Sequence, residues 1–262
     1  MLRITDVAKN LLIINALFFL ATLFFGEKEM LDLLALHYPA SPLFKPLQLA
    51  THFFMHGGVL HLFFNMFALV MFGSALETIW GPKRFLFFYF VCAFGAAALH
   101  MGFTWWEIHQ LEGLMDQFRS TPTLAVFQQF VNFSGLEDLP FAQDQLRQMG
   151  RGITPDLIGN ASGLMQEFHD IKVNIPVVGA SGAIYGLLLG FGMLFPNAEL
   201  MLIFLPIPIK AKYFIPVLMG IELFLGLNQF SWDNIAHFAH LGGAVTGFFL
   251  ILYWRKFGSS WG

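Results

Sequence analysis

Residues 179–186 read Gly-Ala-Ser-Gly-Ala-Ile-Tyr-Gly and lie within a long run of apolar residues. A hydroxyl group that is removed from water costs free energy unless it is hydrogen-bonded. Ser181 therefore either bonds to its own helix or has a partner elsewhere in the chain. Gly182, Gly186 and Gly190 follow at intervals of four residues, a spacing of small residues that lets two membrane helices approach closely. The stretch thus predicts a tightly packed helix with a polar group at its start.

The composition of the chain indicates a membrane protein whose surroundings are a lipid bilayer. Of the 262 residues, 56% are hydrophobic and only 12% are charged, whereas soluble domains carry about 25% charged residues. The net charge is −3, so the chain offers no basic surface for a nucleic acid and none is expected as a partner. The single cysteine, Cys92, excludes an internal disulfide.

Six apolar stretches approach the length of about 20 residues that a transmembrane helix needs. They are residues 10–26, 60–79, 85–103, 181–195, 213–227 and 235–254. The fourth and fifth are short, which indicates that they begin below the interface or pack inside the bundle. Residues 200–208 are also apolar but contain two prolines, so we predict a turn there and not a seventh span.

The positions of lysine and arginine predict the orientation, because these residues are enriched on the cytoplasmic side of membrane proteins. Eight of them fall in short segments on one side of the predicted bundle: Arg3, Lys9, Lys83, Arg84, Lys210, Lys212, Arg255 and Lys256. Both termini are therefore expected in the cytoplasm. The expected location is the cell membrane, as a multi-pass protein of the bacterial inner membrane.

The connection at 104–178 is unusually long and falls on the opposite, extracytoplasmic side. It carries nine acidic residues against four basic ones. Amphipathic patterns at 105–118, 123–133 and 144–149 predict helices that lie on the membrane. A disordered loop is the less favoured alternative, because the apolar content is high for disorder. We expect an inserted, helical, extracytoplasmic segment.

Further polar residues lie in or beside the other apolar stretches, where such groups usually face the bundle interior or a water-filled cavity. They are His52, His56, His61, Asn65, Glu77, His237 and His240. Gly243 and Gly247 follow His240 with the spacing seen after Ser181. The two glycine faces are expected to pack together and to bring Ser181 against His240.

A serine beside a neutral histidine is a nucleophile with a general base. A helix that begins at Ser181 also directs free backbone N–H groups toward whatever the hydroxyl attacks. His61 and Asn65 are four residues apart and share one helix face, from which they are candidate donors to a developing oxyanion. No carboxylate lies in the last apolar stretch, so the predicted catalytic unit is a dyad of Ser181 and His240. No cofactor or metal is required.

These motifs resemble those of the rhomboid family of intramembrane serine proteases. The stretch Thr51 to Asn65 is similar to the family's loop and second-helix motif, which ends in His-x-x-x-Asn, and Gly73-Ser-Ala-Leu-Glu77 follows it. Gly179-Ala-Ser-Gly resembles the nucleophile motif, and Ala239-His-Leu-Gly-Gly resembles the final motif.

The resemblance implies an all-α bundle of six transmembrane helices, in which residues 1–262 form a single rhomboid membrane domain and 104–178 is an insertion between the third and fourth helices. It implies cleavage of transmembrane protein substrates near their extracytoplasmic end. By the same resemblance Tyr185 stacks on the catalytic histidine and Gly179 supports the site. His237 falls one turn before His240, and we assign it a supporting role at most. Leu47 and Gln48 replace a Trp-Arg pair of many relatives, so something else must hold the first loop.

Two other functions stay open at this point. The first is a catalytically inactive relative that binds membrane proteins without cleaving them. The second is a metal enzyme or metal transporter that uses the histidines, since histidines four residues apart on a helix can share a metal. The histidines concerned are His52, His56, His61, His237 and His240. The sequence does not predict the substrate or the oligomeric state.

Overall fold

The computed structural model describes residues 4–202, 205–228 and 235–257, and this part of the chain is mostly helical. In chain order the elements are α1 (Asp6–Phe25), α2 (Glu27–Leu34), α3 (Gln48–Thr51), a 3₁₀ turn (His52–Phe54), α4 (Val59–Ala68), a π-helical turn (Leu69–Gly73), α5 (Ser74–Ser120), α6 (Leu124–Phe133), α7 (Pro140–Arg151), α8 (Pro155–Asn174), α9 (Ser181–Leu194), β1 (Glu199–Leu202), β2 (Leu205–Lys210), α10 (Ala211–Asn228) and α11 (His237–Phe257).

Four helical stretches of the described chain are long and apolar enough to cross a membrane. They are Asp6–Phe25, Val59–Ser120, Ala211–Asn228 and His237–Phe257. The second stretch has 62 residues and is interrupted at Gly81, whose φ of 73° is not helical and which precedes Pro82. Helix α9 is equally apolar but has only 14 residues. The expected multi-pass membrane protein is confirmed, whereas the count of six crossings stays a prediction.

The described chain is mostly helical, as expected, but it also forms one β-hairpin. Strands β1 and β2 pair antiparallel, with Glu199 opposite Lys210 and Leu200 opposite Ile209. Proline has no N–H and breaks a helix interior, but it is tolerated in a two-stranded ribbon, where each strand has an unpaired edge. The turn predicted at 200–208 is thus part of a hairpin, and residues 203–204 lie outside the described residues.

The core of the membrane domain is formed where α11 packs against α5 and α9. The side chains at its centre are large and fully buried, as in Phe85, Phe88 and Tyr89 of α5. Helices α9 and α11 meet at glycines, and a Cβ atom at Gly243 would overlap the carbonyl oxygen of Gly182. The predicted glycine-mediated packing of these two helices is therefore confirmed. It brings the start of α9 beside the start of α11.

Helix α1 is attached to α5 through the buried carboxylate of Glu77. This carboxylate accepts hydrogen bonds from the backbone N–H groups of Val7 and Ala8, each at 3.0 Å, and from the hydroxyl of Thr5 at 2.5 Å. Free N–H groups and the positive end of the helix dipole both favour a carboxylate at a helix N-terminus. A charge inside the bundle is thereby compensated by the start of the first helix.

The segment 104–178 contains helices with a hydrophobic core of their own. Helix α5 continues into it as far as Ser120, and α6, α7 and α8 follow. Their shared core is formed by fully or nearly fully buried side chains, among them Leu111, Phe118, Phe127, Phe130, Val131, Met149 and Met165. The three predicted helical patterns correspond to the end of α5, to α6 and to α7. Helix α8 was not predicted, because Gly159 and Gly163 interrupt its apolar pattern.

The first loop is organised by the side chain of Gln48, which is fully buried. Its Oε1 accepts from the backbone N–H groups of His37 at 3.3 Å and Lys45 at 3.1 Å. Its Nε2 donates to the carbonyl oxygens of Asp32 at 3.2 Å and Leu43 at 2.9 Å. One amide therefore satisfies four backbone groups from separate parts of the loop. This is the replacement that the absent Trp-Arg pair required.

Replacing Gln48 by alanine should lower the free energy of unfolding by about 2–4 kcal/mol, because buried backbone groups that lose their partners each cost about 1–3 kcal/mol. Thermal unfolding in detergent measures the change. The neighbouring Leu47 is 59% exposed, so Leu47→Ala is the control and should leave the melting temperature unchanged. Equal melting temperatures for wild type and Gln48→Ala would show that the loop does not depend on this amide.

The first loop is also joined to the end of the 104–178 segment. Leu36 and Val177 exchange backbone hydrogen bonds of 3.0 and 2.8 Å, and the hydroxyl of Ser41 donates to Asn174 Oδ1 at 2.7 Å. These contacts lie directly before Gly179 in the chain. The segment therefore ends at the start of α9, beside the first loop.

Candidate active site

Ser181 is the first residue of α9 and lies opposite His240 of α11. Ser181 Oγ is 3.0 Å from His240 Nε2, a hydrogen-bonding distance for a hydroxyl and an imidazole. Both helices reach this point through the glycine contact between Gly182 and Gly243. The structure thus brings together the two residues that the sequence predicted as nucleophile and general base.

The chain enters α9 through Gly179, where the backbone conformation requires glycine. Its φ is 116°, a region that residues with a side chain rarely adopt. Its N–H donates to the carbonyl oxygen of His52 at 2.9 Å. A Cβ atom at this position would lie 2.9 Å from Cε1 of His61. Glycine therefore lets the backbone that leads to Ser181 pack directly against the His61 ring.

His61 and Asn65, the predicted oxyanion donors, lie on α4 as expected. The Nδ1 atom of His61 accepts from the backbone N–H of Gly57 at 3.4 Å, which leaves the ring proton on Nε2, the atom nearer Gly179. Asn65 is buried, and its Nδ2 has no hydrogen-bond partner among the residues that the structure describes. A buried donor without a partner is unfavourable in the resting protein. Such a donor is available to an oxygen atom of a bound ligand.

Tyr185 lies one turn after Ser181 and covers the His240 ring. The centroids of the two rings are 4.1 Å apart and their planes differ by 7°, which is the stacking that the resemblance implied. The tyrosine hydroxyl donates to Oε1 of Glu222. The His240 ring is thus fixed on one face by an aromatic ring that is itself attached to α10.

Glu222 lies in the site, although the sequence motifs did not predict it as a site residue. The expected dyad rested on the absence of a carboxylate from the last span, but this carboxylate comes from α10, the helix before it. Glu222 Oε2 is 3.0 Å from Nδ1 of His240 and 2.6 Å from Nδ1 of His237. The available signal was a lone carboxylate inside the apolar stretch 213–227, because an ionisable residue within a span usually marks a functional site.

The remaining histidines that the sequence singled out are His52, His56 and His237. His52 and His56 lie in the first loop, where burial lowers the pKa of each to about 4 and keeps the rings neutral. His52 Nδ1 contacts the carbonyl oxygen of Gln48 at 2.6 Å, so this ring supports the loop. In the described part of the chain, the only group with ligand atoms close enough to hold a metal ion consists of Glu222, His237 and His240, all within 4.8 Å of one another.

The family model of the rhomboid domain matches residues 44–106 and 153–257, which is more than half of the chain. The chain belongs to the rhomboid family. Over 72 residues it is 35% identical to Rhomboid protein 1, mitochondrial, of Saccharomyces cerevisiae, a match that covers 28% of this chain and 20% of that relative. The matched region is thus about a fifth of the relative's own length.

In this rhomboid, residues 107–152 lie between the two parts of the family match. They comprise the end of α5 with all of α6 and α7. The unmatched residues therefore supply most of the separate helical core described above. The match resumes shortly before α8, whose end contacts the first loop.

The candidate site lies at one end of the rhomboid bundle, and basic residues gather at the other. Arg84, near the start of the second part of α5, stacks on the ring of Trp254 at 4.1 Å, and Arg255 donates to the carbonyl oxygen of Met193 at 2.8 Å. Met193 is at the end of α9, and Ser181 is at its start. The helix between them is about 20 Å long, so the site is well separated from the basic end.

Proposed function

We propose that this rhomboid is an intramembrane serine endopeptidase that cleaves transmembrane protein substrates near their extracytoplasmic end. The observation that carries the proposal is the 3.0 Å contact between Ser181 Oγ and His240 Nε2. A neutral imidazole at this distance can accept the serine proton as the hydroxyl attacks a carbonyl carbon. The two groups lie in a bundle of apolar helices, where a peptide bond of a membrane-spanning substrate would have to be cleaved.

The first half of the reaction forms an acyl-enzyme. Ser181 Oγ bonds to the scissile carbonyl carbon while its proton moves to His240 Nε2, and the carbonyl electron pair becomes an oxyanion. Asn65 Nδ2, His61 Nε2 and the backbone N–H of Ser181 are the donors available to that oxyanion. When the intermediate collapses, the C–N bond breaks and the leaving amine takes the proton from His240.

The second half releases the new carboxyl terminus. Water attacks the acyl carbon, gives a proton to His240 Nε2 and forms a second oxyanion at the same donors. Breaking the ester bond returns the proton to Ser181 Oγ. Tyr185 holds the His240 ring in place through both halves by stacking on it, so that a single imidazole serves as base and then as acid.

Labelling by a fluorophosphonate probe tests the proposal directly, because such a probe phosphonylates only an activated serine. Purified wild-type protein should be labelled and should cleave a transmembrane substrate in detergent or liposomes. Ser181→Ala should do neither. Binding of the substrate without labelling or cleavage by the wild type would favour the catalytically inactive relative instead.

The proposed topology has six crossings, both termini in the cytoplasm and the 104–178 segment outside. The interruption at Gly81 divides the longest apolar stretch into two helical segments, and α9 counts as a short span. The gathering of Arg84 and Arg255 at the end opposite Ser181 supports this orientation. The site would then open toward the extracytoplasmic side, beneath or beside the segment. A bacterial inner membrane is the proposed location.

Single introduced cysteines should report this topology, because the native Cys92 is fully buried. Asp138, between α6 and α7, and Lys83, two residues after Gly81, are both exposed. In sealed spheroplasts we expect a membrane-impermeant maleimide to label Asp138→Cys fully and Lys83→Cys only after the membrane is opened. The reverse pattern would place the 104–178 segment in the cytoplasm and would contradict the proposed orientation.

A second candidate function, metal-dependent chemistry, is supported by the grouping of Glu222, His237 and His240. Two histidines and one carboxylate are a ligand set used by catalytic zinc. The two candidates differ in their response to chelation. A metal enzyme would lose activity in a strong chelator and regain it with Zn²⁺, whereas the serine peptidase would not respond.

A further inference from the structure

The carboxylate of Glu222 is a buried charge with all its bonds directed at the candidate site. It lies in the second half of α10 and is 6% exposed. Both of its oxygens are engaged, Oε2 by His240 and His237 and Oε1 by the hydroxyl of Tyr185. A carboxylate inside an apolar bundle is costly unless such donors compensate it. This cost indicates a role that an uncharged residue would not fill.

The contact with His240 fixes which ring nitrogen carries the proton. An ionised carboxylate only accepts hydrogen bonds, so Nδ1 of His240 must donate across the 3.0 Å to Glu222 Oε2. The lone pair is then on Nε2, the atom that faces Ser181 Oγ at 3.0 Å. The opposite tautomer would direct an N–H at the serine and could not accept its proton.

The same carboxylate also positions the ring. Tyr185 stacks on His240, and its hydroxyl donates to Glu222 Oε1. His237, one turn before His240 on α11, contacts Glu222 Oε2, the same oxygen as His240. Glu222 therefore links α9, α10 and α11 at the level of the site. Once Nε2 is protonated, the imidazolium has an anionic partner already in place, which requires no reorganisation.

We infer that Glu222 is a positioning residue for His240, so that the catalytic unit is Ser181, His240 and Glu222 and not a dyad. This inference rests on the proposed peptidase function. Glu222 acts through His240 and does not contact the substrate. His237 and Tyr185 hold the carboxylate in turn.

The kinetic test compares Glu222→Gln and Glu222→Asp with wild type on a transmembrane substrate. Loss of the carboxylate removes the fixed tautomer, so Glu222→Gln should lower kcat by about 10²–10⁴-fold with KM changed by less than about threefold. Glu222→Asp keeps a carboxylate, so its kcat should be at least about tenfold higher than that of Glu222→Gln. The matched control is Glu77→Gln, another buried carboxylate, whose hydrogen bonds go to α1. It should lower the melting temperature while the folded fraction keeps the wild-type kcat.

A spectroscopic measurement on the wild type covers the case in which the Glu222 variants do not fold. In ¹⁵N-histidine-labelled protein, assigned by comparison with His240→Ala, His240 should show a protonated Nδ1 and an unprotonated Nε2 at neutral pH. A protonated Nε2 with a bare Nδ1 would overturn the inference. So would a folded Glu222→Gln variant with the wild-type kcat.

The outcomes separate this inference from the proposed function. If the probe labels wild type but not Ser181→Ala, the peptidase stands, and a folded Glu222→Gln with unchanged kcat then refutes the positioning role alone. If the wild type is neither labelled nor active, the proposed function fails first. Activity that is lost in a chelator and restored by Zn²⁺ would make Glu222 a metal ligand and would also overturn the inference.

Discussion

Replacing Ser181 or His240 by alanine should lower turnover of a transmembrane substrate by about 10⁴–10⁶-fold, because nucleophile and base act in the same bond-forming step. Without the hydroxyl, no acyl-enzyme forms. Without the imidazole, the serine has no base at 3.0 Å to accept its proton. Initial rates of cleavage in liposomes, normalised to folded protein, measure the loss.

The double variant decides whether the two residues form one unit. We expect Ser181→Ala/His240→Ala to be no slower than either single variant, since each already removes the shared step. Control substitutions of the same residue types are available in the 104–178 segment, namely Ser134→Ala and His109→Ala, and these should keep wild-type turnover. Losses that simply add in the double variant would mean that Ser181 and His240 act independently. Near-native turnover in either single variant would exclude that residue from the proposed catalytic unit.

The pairing of Ser181 with His240 was predictable because it is encoded locally in two glycine ladders. Small residues at intervals of four specify which faces of two helices can touch, and a polar residue at the edge of such a face is then placed as well. Gly182 and Gly243 make this contact, and the serine and histidine lie beside it. A simpler pattern, the four-residue spacing of His61 and Asn65, placed these two residues on one face of α4.

Glu222 and Gln48 could not be placed in the same way, because their partners are set by tertiary contacts. Glu222 lies on a helix without a glycine ladder of its own, and nothing in its local sequence specifies that it turns toward His240. The four partners of Gln48 are backbone groups up to 16 residues away, and backbone groups leave no trace in a sequence pattern. In both cases a polar residue in an apolar setting was visible, but the identity of its partners was not.

The 104–178 segment shows a different reason why a helix cannot be predicted from apolar periodicity alone. Its amphipathic patterns predicted helices correctly where apolar residues recur without interruption, as in α6. Helix α8 is fixed by other means. Thr154 accepts from the backbone N–H of Leu157 at 3.3 Å and Pro155 occupies the first turn, so a helix start is specified although glycines weaken the periodicity that follows.

Asn65→Ala should lower kcat by about 10²–10³-fold, equivalent to roughly 3–4 kcal/mol, with a much smaller change in KM. The reason is that Asn65 Nδ2 is buried and has no partner among the described residues, so its bond would form only when an oxyanion develops. A donor used only in the transition state changes kcat and leaves ground-state binding nearly unaffected. Steady-state kinetics over a range of substrate density in the membrane separate the two constants.

Two further variants distinguish an oxyanion donor from a residue that merely holds helices together. Asn65→Asp has almost the same shape but replaces the donor by an acceptor with negative charge, so it should be slower than Asn65→Ala if an oxyanion forms there. Asn15→Ala is the matched control, because Asn15 is also buried in an apolar helix and its amide donates to the carbonyl oxygen of Leu11 at 2.7 Å. It should alter stability but not kcat. A raised KM with unchanged kcat in Asn65→Ala would instead identify Asn65 as a contact for substrate docking, and would leave stabilisation of the oxyanion to His61 and the start of α9.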